Sequence, residues 1–140
     1  MKKRLYLLVI LTLLPSLSFL ARPSSTVAAG EDTNHFSNRR VSAQSGDCGG
    51  YDLWLTKSGQ SFKGQLAFYE GSCETKKWDI ESVQYDPKTG ALSFKAPYFQ
   101  DFNWEFMGTL KKNRVLGMFK LFEKGSKEET SSNKVVLKAQ

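Results

Sequence analysis

From Tyr51 onward, apolar and polar side chains alternate with period two, and Gly, Pro, Asn and Asp break the alternation at short intervals. Period two sends successive side chains to opposite faces of an extended strand, whereas a helix would need apolar residues three and four apart. The pattern predicts strands over Tyr51–Lys57, Gln60–Tyr69, Trp78–Tyr85, Ala91–Pro97, Asn103–Lys111, Arg114–Phe122 and Lys134–Ala139, and no helix. Seven or eight consecutive strands of this kind make an all-β protein. The expected architecture is an antiparallel up-and-down meander that closes into a small barrel, with a curled β-sandwich as the alternative. At 140 residues there is room for one such domain.

Turn chemistry sets the registers. A two-residue turn at Lys112-Asn113, where Asn tolerates positive φ, aligns Leu110 with Val115, Gly108 with Gly117, Phe106 with Phe119 and Trp104 with Leu121 on one face. The other face then pairs Thr109 with Leu116, Met107 with Met118 and Glu105 with Lys120, so an opposite-charge pair falls outside an apolar face. A two-residue turn at Ser58-Gly59 aligns Leu55 with Phe62, Leu53 with Gly64 and Tyr51 with Leu66, and places Trp54 opposite Lys63. Asp86-Pro87-Lys88-Thr89-Gly90 marks a third hairpin. There Tyr85 faces Leu92 and Val83 faces Phe94. Because Trp78 and Ile80 have the opposite parity to Val83 and Tyr85, a bulge is expected near Glu81-Ser82.

An apolar-x-Gly-x-apolar pattern recurs in Phe62-Lys-Gly64-Gln-Leu66, Phe106-Met-Gly108-Thr-Leu110 and Val115-Leu-Gly117-Met-Phe119. Its glycines face inward in these registers. Inward glycine weakens a strand and needs a reason, either room for a neighbouring aromatic ring or a ligand cavity, and close packing is the commoner one. The meander, the short hairpins and the motifs Gly64-Gln-Leu66, Gly108-Thr-Leu110 and Gly117-Met-Phe119 resemble the small exported avidin- and lipocalin-like (calycin-type) barrels over roughly residues 50–140. The chain has Gly50-Tyr-Asp-Leu-Trp54 where lipocalins open on G-x-W, and no binding residue is carried over from either family. The resemblance implies a fold whose members bind small ligands or proteins and rarely catalyse.

Upstream, Met1-Lys2-Lys3-Arg4 is a basic head, Leu5 to Ala21 is an uncharged apolar run, and small residues follow near Ala28 and Ala29. This is the layout of a secretory signal peptide over residues 1–29; Pro15 and the short run argue against a membrane anchor. Residues 30–47 are polar and read as a flexible leader with at most a short strand near Arg40–Gln44, leaving 48–140 as the barrel domain. In an exported chain, Cys48 and Cys73 are expected to form a disulfide. Formal charge is +6, but Lys2, Lys3, Arg4 and Arg22 precede the expected cut and no acidic residue does. The mature chain carries about +2, which removes the main argument for a nucleic-acid partner.

Catalytic patterns are missing from the sequence. There is no nucleophile elbow, zinc-protease motif, phosphate loop or calcium loop. His35 is the sole histidine and falls in the expected leader, so neither a cysteine nucleophile nor a general base has an evident partner. Asp79, Glu81, Asp101 and Glu105 are the carboxylates that a hydrolase would have to converge. The expectation is therefore a non-enzymatic exported binding protein without metal or cofactor, periplasmic or secreted. Two modes are open: a small apolar ligand in the interior, near Tyr51, Phe68, Trp104 and Phe106, or an extracytoplasmic protein on an outer patch containing Trp54, Tyr69, Met107 and Met118. A structural envelope protein is the alternative. The aromatic turn Tyr98–Asn103 is placed to lid or plug one barrel end.

Overall fold

The computed structural model describes residues 32–140, so the signal peptide expected at 1–29 lies outside the described residues. Ten strands and no helix form in them: β1 (Thr33–Ser37), β2 (Arg40–Val41), β3 (Cys48–Ser58), β4 (Ser61–Gly71), β5 (Lys77–Asp79), β6 (Glu81–Tyr85), β7 (Ala91–Tyr98), β8 (Phe102–Lys111), β9 (Arg114–Glu123) and β10 (Glu129–Ala139). The strands lie in the order β5-β4-β3-β1-β10-β9-β8-β7-β6, with β2 beside β3. β5 and β6 are two halves of one wall, separated by Ile80, whose N–H donates to the Gly64 carbonyl at 2.9 Å. β5 pairs with β4 and β6 with β7, so the chain itself spans the break and the sheet is a nearly closed antiparallel barrel. The sandwich alternative is set aside by this single curved sheet.

Sequence-predicted registers hold where the turn is unambiguous. Across β8 and β9 every expected pair forms, from Trp104 opposite Leu121 to Leu110 opposite Val115. The expected bulge appears as a register shift between Glu81 and Gln84, with Ser82 at a φ of 51°. The β3–β4 hairpin is displaced by two residues from expectation: Ser58 faces Ser61, Leu55 faces Gly64 and Tyr51 faces Phe68. Gly59, at a φ of 64°, takes the first central position of the turn, where glycine carries positive φ without a Cβ penalty. A shift of two preserves parity, so Tyr51, Leu53 and Leu55 still face the core. The expected pair of Trp54 and Lys63 is lost; Gln65 lies opposite Trp54, and Lys77 covers the indole instead.

The leader over 30–47 is the main correction to the fold. Thr33–Ser37 is a wall strand between β3 and β10, and it completes the barrel. Phe36 enters the core, while β2 continues along the same edge of β3. Only one residue of β1 is large and apolar, which is why alternation did not reveal it. The strand is held by backbone hydrogen bonds on both sides.

Inside the barrel, Leu53, Leu55, Leu66, Phe94, Phe106, Val115 and Phe119 are fully buried. The paired glycines have a packing role. A Cβ on Gly108 or on Gly117 would lie 2.6 Å from Cζ of the Phe106 ring, and closer still to the facing strand's backbone, at the Leu116 carbonyl oxygen or that of Met107. They make space for an aromatic ring, the first of the two reasons anticipated, and for the close approach of the facing backbone. The Cys48–Cys73 disulfide forms, with Cα atoms 4.9 Å apart, and ties the start of β3 to the loop after β4. A structural disulfide of this kind indicates an oxidising, extracytoplasmic environment. Among the described residues no helix is long and apolar enough to cross a membrane.

Candidate functional site

The four expected interior contacts are divided between core and rim. The Tyr51 ring stacks on Phe119 at 4.5 Å and on Phe68 at 5.0 Å, and meets the edge of Trp104 at 6.1 Å. Phe106 stacks on Phe94 at 4.9 Å and packs on Phe119 at 5.0 Å. Tyr51, Trp104 and Phe106 are therefore committed to one another and to the core. Burial pushes the Tyr51 hydroxyl up from its ordinary pKa, against an opposing hydrogen bond from Asn133. Phe68 alone of the four is half-buried and reaches the barrel end.

At that end a cleft of about 320 Å³ opens between the last residues of β4, the β4–β5 loop and the β7–β8 turn. Its walls are aromatic. Tyr98 stands edge-on to Phe68 at 5.7 Å and to Phe99 at 4.5 Å, and Phe99 meets Trp78 at 6.3 Å. Beneath them lies Trp104, 5.6 Å from both Phe68 and Tyr98, with a buried indole N–H that has no partner among the described residues. The rim is polar. The Tyr98 hydroxyl donates to Glu70 Oε2 at 3.3 Å, and Lys76 Nζ lies 4.0 Å over the Trp78 ring. Burial, then the neighbouring Glu70 charge, push the Tyr98 hydroxyl up, so it stays protonated.

Local sequence explains this convergence. The turn after β7 leaves Tyr98 opposite Phe102 and holds Phe99 at a φ of 53°, an uncommon conformation for a bulky residue, with its side chain largely exposed. The disulfide fixes Cys73 three residues before Lys76 and so anchors the opposite wall. The sequence reading marked Tyr98–Asn103 as an end-covering turn but missed Trp78, Lys76 and Glu70. Those residues lie on β4, the β4–β5 loop and β5, well before Tyr98 in the chain, and meet the β7–β8 turn only when the barrel closes.

A second polar cluster lies on the outside, where β1, β3 and β4 run side by side. Asp52 is only 2% exposed although it points away from the barrel interior. Its Oδ2 accepts the Tyr69 hydroxyl at 2.8 Å, its Oδ1 lies 3.2 Å from His35 Nε2, and Arg39 Nη1 is 3.9 Å away. Burial raises the Asp52 pKa, but hydrogen bonds from Ser37, Tyr69 and His35 outweigh that and hold it below the ordinary carboxylate value. Burial, then Asp52, raise the Tyr69 hydroxyl. His35 stacks on Trp54 at 4.8 Å, and Lys77 Nζ lies 3.9 Å over the same indole. The only histidine is thus part of the folded wall, which corrects its placement in a mobile leader. Its partners Trp54 and Asp52 tie β1 to β3, and the Tyr69 hydroxyl on Asp52 extends the cluster to β4.

The expected outer patch does not form as one surface. Trp54 and Tyr69 belong to the β3–β4 wall, where Tyr69 is buried with Cys48 and Ala67. Met107 and Met118 pair across β8 and β9, and β1 and β10 separate β9 from β3. Met107 is 63% exposed, with Val136 on the same side of the barrel. Of the candidate carboxylates, Glu81 and Glu105 lie on either side of Lys95, across β6, β7 and β8. Asp79 accepts from Gln65 at 2.9 Å, Glu105 is held by Lys95, and Asp101 lies in the β7–β8 turn. No group of three metal-ligating residues occurs among the described residues. Comparison of the chain with protein-family models, curated proteins and solved structures finds no match.

Proposed function

We propose that this chain is an exported, non-enzymatic binding protein whose small ligand seats at the barrel mouth, not in the interior. The observation that carries the reading is the aromatic-walled cleft of about 320 Å³, which falls in the size range of small-molecule sites. Tyr51, Trp104 and Phe106 stack on one another beneath it and leave the rim as the place where apolar surface stays open. The disulfide beside the cleft supports both export and a preformed site, since a fixed wall lowers the ordering cost of binding. The antiparallel barrel supports the likeness to calycin-type proteins at the level of fold.

The test compares small molecules that co-purify with the exported protein and with a Trp78→Ala/Phe99→Ala variant, read by mass spectrometry. A species retained by the first and lost from the second is expected. Identical extracts from both folded proteins would remove the mouth as the binding site. A protein-partner surface is the second reading, favoured by the exposed Met107 and Val136 on the outer face of the β8–β10 wall. It predicts that Met107→Asp abolishes a pulled-down partner while the mouth variant retains it.

A further inference from the structure

We infer that the mouth cleft takes an organic cation, an alkylated ammonium group, and that Lys76 is its built-in competitor. The inference rests on the mouth being the binding site. Phe68, Trp78, Tyr98 and Phe99 border one cleft, and aromatic ring faces carry negative charge density that attracts cations. Glu70 and Glu74 share the lining, against the single cation Lys76. The Tyr98 hydroxyl bond holds the Glu70 carboxylate on the aromatic side.

Lys76 supplies the direct observation. Its ammonium sits 4.0 Å over Trp78, and it forms no ion pair among the described residues despite the nearby glutamates. The chain's own alkylammonium thus already makes the contact that a ligand would make. Phe99 points the same way. A bulky side chain at a φ of 53° and 63% exposed pays backbone strain without being buried in return, and strain of that kind is retained where a surface has a use. An anionic ligand would meet Glu70 and Glu74. A neutral apolar ligand would leave their charges and the ring faces unused.

Choline and its uncharged carbon isostere, 3,3-dimethyl-1-butanol, separate charge from shape. Each is titrated calorimetrically into the oxidised exported protein. Choline should bind about tenfold more tightly than the isostere, the effect of one partly desolvated cation–π contact. Glu70→Gln should weaken choline severalfold and leave the isostere unchanged. Lys76→Met should tighten choline more than Lys77→Met does. Both variants remove one positive charge from the same loop region, but Lys77 lies over Trp54 outside the cleft.

Equal binding of choline and the isostere overturns the cation inference and leaves the mouth site standing. If neither binds into the tens of millimolar, the inference falls, and the co-purification comparison decides separately whether the mouth site falls with it. Equal effects of Lys76→Met and Lys77→Met overturn the competitor role.

Discussion

Asp52 carries a charge on the outer side of a strand, yet it is as buried as the core, and its surroundings explain how. Tyr69 donates to one of its oxygens, the His35 ring lies 3.2 Å from the other, and Arg39 folds over the Tyr69 ring at 5.2 Å to close the site. Replacing one member of such a cluster leaves the others buried and unpaired, so Asp52→Ala should lower the unfolding free energy by about 3 kcal/mol. Urea unfolding measures this. The sign with pH follows from its depressed folded pKa. Stability from the carboxylate is fully present above the unfolded value, about 3.9, and is lost as pH falls through the folded one. The gap between wild type and variant should therefore hold at neutral pH and shrink below about pH 4. At the same scale, Gly108→Ala drives a methyl against the Leu116 carbonyl oxygen, as well as the Phe106 ring at 2.6 Å, and should cost about 3 kcal/mol. Phe106→Leu in the same chain should relieve part of that cost, so the double variant is less destabilised than the two single effects combined. Additive losses would show that the backbone contact, not the ring, limits the site.

Among the elements, β1 shows what alternation cannot reveal. Thr-Asn-His-Phe-Ser offers one large apolar side chain, too few to register as a periodic signal. Its position is decided by two vacant sheet edges, on β3 and β10, whose backbone groups need partners. Phe36→Ala should cost about 3–5 kcal/mol and weaken this closure. Faster amide exchange on the facing edges of β3 and β10 than elsewhere would be the accompanying sign. The β8–β9 pair was legible in full because its two-residue turn has one sensible centre, and Gly108 opposite Gly117 fits only that register. The β3–β4 turn, Ser-Gly-Gln-Ser, offers two centres of equal parity. Hydrophobic patterning separates odd shifts from even ones but not one even register from another, so the faces were right and the partners were not.

For the whole molecule, closure divides surfaces that the linear reading had joined. Trp54 and Met107 both point outward, but the strand order sets them on different walls. The mouth, conversely, collects residues from β4, the β4–β5 loop and the β7–β8 turn. One covalent link stabilises that end. A Cys48→Ser/Cys73→Ser variant should lose about 3.5 kcal/mol, the loop-closure entropy of the 26-residue loop from Cys48 to Cys73. Chemical denaturation with and without reductant checks this; an unchanged midpoint on reduction would show that the bond contributes little. By itself, the sequence determined the strand class, most inward faces, the β8–β9 register, the bulge before Val83 and the pairing of two lone cysteines. Each of these follows from side-chain parity, turn residues or simple counting, which are local properties. Only the tertiary structure decided that β1 closes the barrel, that Asp52 and His35 meet, that aromatic rings fill the interior and that an aromatic cleft remains at one end. Those outcomes depend on which distant edges pair and on how much space the closed wall encloses, and no local pattern encodes either.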